Sequence, residues 1–338
     1  MKACIIGAGF IAMAHAAGYV AEPRAELCGV ADIRLEAAQK LAGEYRCRAY
    51  TDARDMLEKE KPDAVSVCVP THLHRQAVCL ALRSGADVLC EKPLALSLED
   101  VTVMRDAALR YGKQVMAAQV LRFWQEYTMI RETFASGALG VIRRVNAQRI
   151  AHSSRGEWFG DPQKGGGALY DLLVHDLDFA VCLLGCRAES LYATGRKNAL
   201  GGWVHVNALL SWENGVQLSL EASGDMPVGY PFTVRFRADG DRGCVDFASQ
   251  SLQNIAVAQD ASSRLFYVQD GKTRALDPGV YPNGANAEAF CRQIRAFTEG
   301  VEAGRLPIPF DESVYVMKLV DRLRTSLDTG GKEIVLSI

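Results

Sequence analysis

The stretch Gly7-Ala8-Gly9-Phe10-Ile11-Ala12 constrains this chain more than any other part of it. It directly follows an apolar run, Ala3–Ile6, that reads as a buried strand, and it opens a segment with helical spacing. The first glycine permits a tight turn, the second lets backbone approach a ligand, and the small third residue lets helix pack on strand. Free N–H groups at the helix start then offer a positive dipole end to a pyrophosphate. Asp32 strengthens the pattern, because it ends the second apolar run, Glu26–Ala31, roughly 20 residues past the glycine turn. A carboxylate there accepts hydrogen bonds from ribose hydroxyls and repels a 2′-phosphate. Arg34 can still accommodate such a phosphate, so NAD is expected and NADP remains open. The competing reading is a plain tight turn with a surface acid capping the next helix. Contacts to the dinucleotide are expected from Gly7, Gly9, Phe10, Ile11, Asp32, Ile33 and Arg34.

Around this loop the first ~120 residues alternate apolar runs with helical patterns. Ala3–Ile6, Glu26–Ala31, Ala64–Val69, Asp87–Cys90 and Gln114–Ala118 read as strands, with helices such as Leu35–Tyr45 and Leu73–Ser84 between them. Such alternation implies a doubly wound parallel sheet of the Rossmann kind with right-handed crossovers. Beyond Phe123 the texture changes. A helical stretch, Ala168–Leu184, precedes runs of period two at Ser190–Gly195, Trp203–Trp212, Val216–Ser223, Phe232–Ala238, Gly243–Phe247 and Leu265–Gln269. Glu213-Asn214-Gly215 is a hairpin signal, and two helices near Ala285–Gly300 and Glu312–Leu327 close the chain. This predicts an α+β domain on a large, mostly antiparallel open sheet. The expected division is a dinucleotide-binding domain at 1–121 and a substrate-binding and oligomerisation domain at 122–338.

Composition excludes several classes. With 38 basic against 40 acidic residues the net charge is −2, which leaves no basic field for a phosphate backbone, so no nucleic acid partner is expected. No run approaches the roughly 20 apolar residues of a membrane-spanning helix, and the first residues do not continue as a secretion signal. A cytoplasmic protein without membrane contact is expected. Ten cysteines lie scattered through apolar runs; they read as reduced, buried side chains, and no metal site is expected.

Three further motifs follow in order. Val69-Pro70-Thr71-His72-Leu73-His74 reads as a turn after a strand, and Gly85-Ala86-Asp87-Val88-Leu89-Cys90-Glu91-Lys92-Pro93 as a strand running into Glu-Lys-Pro. Gly165-Gly166-Gly167 leads into a helix carrying Asp171, His175 and Asp178, at i, i+4 and i+7 on one helix face. Together with the glycine loop, these resemble the Gfo/Idh/MocA family of NAD(P)-dependent oxidoreductases, which includes inositol 2-dehydrogenase and glucose-fructose oxidoreductase. The likeness spans residues 1 to ~185. It implies that Pro70, Thr71, His74, Glu91 and Lys92 border the cofactor, that Pro93 follows a cis bond, and that Lys92, Asp171 and His175 are the catalytic set. Two departures stand out. Leu173 takes the place of the family's glycine between the Asp and the His, and Leu121-Arg122-Phe123-Trp124-Gln125 lacks the family's proline.

The chemistry fits those positions. Lys92 lies at the C-terminal end of a parallel strand, where doubly wound sheets hold their ligands. A lysine placed there can move a proton or polarise an oxygen. His175 suits general acid–base work near neutral pH, and Asp171 can bind a hydroxyl and orient the imidazole. The plainer alternatives are a surface lysine and an exposed helix face. Arg122, His152 and Trp158 are candidate substrate contacts, together with Arg155, Tyr281 and Asn283, and Arg122 is equally readable as a structural ion pair. The expectation is hydride transfer between NAD(P) and a secondary alcohol of a sugar, sugar derivative or cyclitol such as myo-inositol. The alternatives are an NAD-dependent glycoside hydrolase working by transient oxidation and a non-enzymatic dinucleotide-sensing regulator. A homodimer or homotetramer is expected through the open sheet, should strands such as Val204–Leu210 turn apolar residues outward.

Overall fold

A strand that is apolar on both sides needs cover on both sides, and the N-terminal strands meet that demand with helices. The computed structural model describes residues 1–152, 157–251, 262–279 and 285–336. The chain forms two compact units, Met1–Phe123 with Ala287–Met317, and Trp124–Asn286 with Lys318–Ile338. In the first, strands β1 (Lys2–Ile6), β2 (Glu26–Ala31), β3 (Arg48–Tyr50), β4 (Ala64–Val67), β5 (Asp87–Glu91) and β6 (Val115–Ala118) alternate with helices α1 (Phe10–Ala21), α2 (Leu35–Tyr45), α3 (Ala53–Glu60), α4 (His74–Arg83) and α5 (Leu98–Tyr111). The six strands are parallel in the order β3-β2-β1-β4-β5-β6. The chain winds one way from β1 and the other way from β4, so the crevice outside the carboxyl ends of these two neighbours is where a ligand fits. Every residue of β4, β5 and β6 is buried. Ala3, Ile5, Tyr19, Val30, Leu89 and Met116 share one core with Ile294 and Phe297 from the returning segment.

The doubly wound parallel sheet is as the sequence implies. The strand expected over Ala64–Val69 stops at Val67, and the short β3 lacks an apolar run long enough to announce it. The return of Ala287–Met317 to this unit has no signature in the sequence.

The second unit contains α6 (Gln125–Ala135), β7 (Ile142–Ile150), α7 (Glu157–Gly160), a π-helical turn (Leu169–Leu173), α8 (Val174–Leu184), β8 (Ala188–Lys197), β9 (Trp203–Trp212), β10 (Gln217–Ser223), β11 (Phe232–Gly240), β12 (Gly243–Ser251), β13 (Ser262–Gln269) and β14 (Lys272–Ala275). Helices α9 (Ala285–Ala303) and α10 (Phe310–Asp328) and strand β15 (Ile334–Val335) end the chain. Among the described residues the sheet has nine strands in the order β14-β13-β12-β11-β7-β10-β9-β8-β15, all pairs antiparallel except β7 with β10. Tyr127, Phe179, Phe236 and Phe247 pack edge to face against one side of it, the Tyr127 and Phe179 rings 4.7 Å apart.

Two features go beyond the sequence reading. Central strand β7 is absent from the sequence reading, because its inward positions include Arg149 beside Val145 and Ala147, which breaks the alternation. Val204, Val206, Ala208 and Leu210 are buried, so β9 turns its apolar side to the unit's own core. Its other side carries Trp203, His205, Asn207, Leu209 and Ser211. Among the described residues no helix is long and apolar enough to cross a membrane.

Candidate active site

At the end of β1 the backbone of Gly7 takes φ +98°, and a Cβ there would lie 2.6 Å from the Cys68 carbonyl oxygen. No other residue fits that turn. Gly9 caps α1 with its would-be Cβ facing open space, nothing lying within 4 Å. No side chain caps this helix, and no acid stands in its first turn. The unclaimed amides, the room above Gly9 and the lack of an acid in the first helical turn together fit a pyrophosphate. Phe10 and Ile33 are strongly exposed and Ile11 partly so, leaving apolar surface on either side of the loop.

Asp32 stands just past β2 and is tied to the loop. Its Oδ2 accepts from the Ala8 N–H at 2.9 Å and its Oδ1 from the Arg34 N–H at 2.9 Å, with the Arg34 Nε at 3.4 Å. The carboxylate thus fixes the glycine turn and stays partly exposed beside it.

The next two strands end on the same edge of the sheet. After β4, Pro70 leads into a 3₁₀ turn over Thr71–Leu73, with Thr71 buried and His72 exposed. His74 is buried between the two turns. It is 1% exposed, its Nδ1 lies 2.9 Å from the Pro93 carbonyl, and its Nε2 lies 2.9 Å from the Val69 carbonyl. Burial pulls its pKa below the ordinary imidazole range. The ring ties the turn after β4 to the turn after β5. Glu91 is likewise occupied from within: Oε1 lies 2.9 Å from His15 Nε2, and Oε2 accepts from the Lys92 N–H at 3.2 Å. These two side chains, expected at the cofactor, bind the loops on this edge of the sheet to one another. Lys92 follows at the end of β5, part-buried, and its bond to Pro93 is cis.

In the second unit a π-helical turn holds Asp171. Such turns put one extra residue into the helical round and cluster at functional sites. The spacing of a regular helix over Asp171, His175 and Asp178 therefore does not apply; the sequence signals no such turn. All three face the interior to some degree, Asp171 and Asp178 buried and His175 part-buried, so an exposed helix face is excluded. The glycine run before them is a packing requirement. A Cβ on Gly167, at φ +72°, would lie 2.4 Å from the Trp203 carbonyl oxygen. Sequence reasoning also passes over Asp176. It faces inward and takes a bidentate pair from Arg149 of β7, Nε to Oδ2 and Nη2 to Oδ1 each 2.9 Å, while Tyr127 accepts from the same guanidinium. This buried clamp sets α8 on the sheet one residue from His175.

The weaker candidates fall in several places. Arg122 is buried and donates to Glu312 at 2.8 Å within the first unit, the ion pair that the sequence leaves open. His152 is exposed, its Nδ1 2.7 Å from the Met226 carbonyl, and Trp158 stands half-exposed on α7. Arg155, Tyr281 and Asn283 lie outside the described residues.

The comparisons with known proteins agree with this picture. Residues 1–119 match the family model described as "Oxidoreductase family, NAD-binding Rossmann fold", and residues 127–246 match "GFO/IDH/MocA C-terminal domain". The chain is 30% identical to D-glucoside 3-dehydrogenase of Escherichia coli K12, over 98% of this chain and 97% of that one. It is 27% identical to inositol 2-dehydrogenase of Rhizobium meliloti, over 89% and 88%. Among solved structures, an oxidoreductase from Agrobacterium radiobacter, in complex with NAD+, L-tartaric acid and magnesium, shares the fold at TM-score 0.84 and 18% identity, covering 99% of this chain and 98% of that one. With its glycine loop, its Glu-Lys-Pro strand end and near full-length likeness to these enzymes, the chain belongs to the Gfo/Idh/MocA family of NAD(P)-dependent oxidoreductases.

Proposed function

We propose that the chain interconverts a secondary ring alcohol of a sugar, sugar derivative or cyclitol and the corresponding ketone. The observation that carries this reading is the placement of Lys92 directly after β5, on the edge of the sheet that also bears the glycine loop and Asp32. The nicotinamide ring supplies the hydride exchange when the cofactor is bound. Lys92 takes or returns the hydroxyl proton. His175 serves as a second acid–base group, and Asp171 binds a neighbouring hydroxyl and orients the imidazole. Support for the substrate class comes from the two relatives whose names specify ring alcohols, a D-glucoside and an inositol.

A panel of methyl glycosides, free hexoses, sugar acids and inositols with NAD and NADP, followed by NADH or NADPH absorbance, tests the class. Reduction of the cofactor by a cyclic polyol is the expected result; silence across the panel rejects the reading. Lys92→Ala should lower turnover by ~10²–10⁴ while the cofactor still raises the unfolding temperature. Turnover at the parent rate in that variant removes Lys92 from the mechanism. We also propose self-association through the uncovered side of the nine-stranded sheet, where Tyr192 and Leu209 stand among polar neighbours. Light scattering after size exclusion should give a dimer or tetramer, and a monomer at micromolar concentration counts against it.

A further inference from the structure

The sequence reading gives no role to His15, yet it is 0% exposed in the middle of α1, among Ala12, Ala16 and Tyr19. A polar ring in such a place must have its nitrogens satisfied. Its Nε2 lies 2.9 Å from Glu91 Oε1, and its Nδ1 lies 3.0 Å from Ser66 Oγ of β4. The Tyr19 hydroxyl lies 2.9 Å from the same Ser66 oxygen.

Donor logic gives the chain one direction. A carboxylate only accepts, so a neutral His15 carries its proton on Nε2 and donates it to Glu91. The bare Nδ1 then accepts from the Ser66 hydroxyl, and Ser66 in turn accepts from Tyr19. Burial pushes the Tyr19 phenol well above its ordinary range, which keeps that terminal proton in place. At the other end, Glu91 Oε2 accepts the Lys92 N–H at 3.2 Å. Four side chains from α1, β4 and β5 thus converge on a single backbone amide, that of Lys92. The ring of Phe290, 5.8 Å from the imidazole, closes over the far side.

We propose that His15 is a positioning residue for Lys92: by fixing Glu91, it holds the backbone at the end of β5 so that the lysine amine is presented to the reacting hydroxyl. This rests on Lys92 acting in proton transfer. A purely space-filling histidine would leave catalysis alone when its contacts are exchanged for others of similar volume. A positioning one would not, since misplacement by ~1 Å can cost about 10² in rate.

The shapes of asparagine and glutamine separate the two contacts. His15→Asn can reach Ser66 but not Glu91, whereas His15→Gln extends an amide toward Glu91. With NAD and the polyol that turns over fastest in the panel, His15→Asn should lower kcat by ~10- to 100-fold, with NAD affinity by calorimetry near the parent value. His15→Gln should recover most of kcat. Glu91→Gln, which keeps volume and loses one acceptor, should fall between. Independently of activity, ¹⁵N-histidine NMR should show His15 as the Nε2–H tautomer, with a shift of that resonance in Glu91→Gln. Parent-like kcat in His15→Asn, equal losses of kcat, cofactor affinity and stability in both His15 variants, or a neutral ring protonated on Nδ1 alone would each overturn the proposal. Parent turnover in Lys92→Ala instead locates the failure in the reading of Lys92 on which this one rests.

Discussion

Asp32 Oδ2 holds the Ala8 amide of the glycine turn, and we propose that the same carboxylate receives the ribose hydroxyls of the cofactor. Hydrogen bonds to a charged group contribute about 1.5–3 kcal/mol each. Asp32→Ala should therefore lower NAD affinity by ~10- to 100-fold and lower NADP affinity less, since the repulsion of a 2′-phosphate goes with the carboxylate and Arg34 stays. Calorimetric titration of both cofactors measures the ratio; an unchanged preference rejects the assignment. Single residues of this kind are legible in sequence because they sit at fixed offsets from a turn that only glycine can make. Glu91 and His74 are equally legible as motif members, but their work is not. Only the folded chain shows their polar atoms meeting His15, Val69 and Pro93.

At the level of elements, α8 is held by a buried ion pair. Arg149 and Asp176 are both almost wholly buried and meet in two parallel hydrogen bonds, with Tyr127 as a third partner. Desolvation pushes the Asp176 carboxyl above its ordinary range despite the guanidinium beside it. Removing one member leaves the other charged and unpaired, which costs ~3–5 kcal/mol. Asp176→Ala should show that loss as a lower denaturant midpoint, and Arg149→Met with Asp176→Leu should recover much of it. A loss below 1 kcal/mol (about the worth of an exposed pair) contradicts the clamp. The same pair explains why β7 escapes the sequence reading, since an inward arginine looks like a surface residue until its partner is found. The π-helical turn at Leu169–Leu173 escapes for a related reason: inserting one residue into a helix leaves the apolar count unchanged and moves only the angles.

Over the whole molecule, the ten cysteines test the burial pattern in one experiment. Cys4, Cys68 and Cys90 are buried in the parallel-sheet core, and burial pushes their thiols far above the ordinary range; Cys186 is exposed. The thiolate is the reacting form. At pH 8, a disulfide reagent should therefore modify Cys186 in the native protein and reach the three core thiols only after unfolding. Rapid native labelling at Cys68 or Cys90, read by peptide mass spectrometry, would falsify the packing described. The sequence by itself determined the alternation of strands and helices, the glycine turn with its acid, and the Glu-Lys-Pro strand end. All of these are local: periodicity, turn chemistry and offset are properties of neighbouring residues. Tertiary structure alone decided the return of Ala287–Met317 to the first unit, the inward arginine of β7 and the hydrogen-bonded path from Tyr19 to Lys92. Each of these joins residues far apart in the chain, and a buried polar group declares its purpose only when the atom that satisfies it is in place.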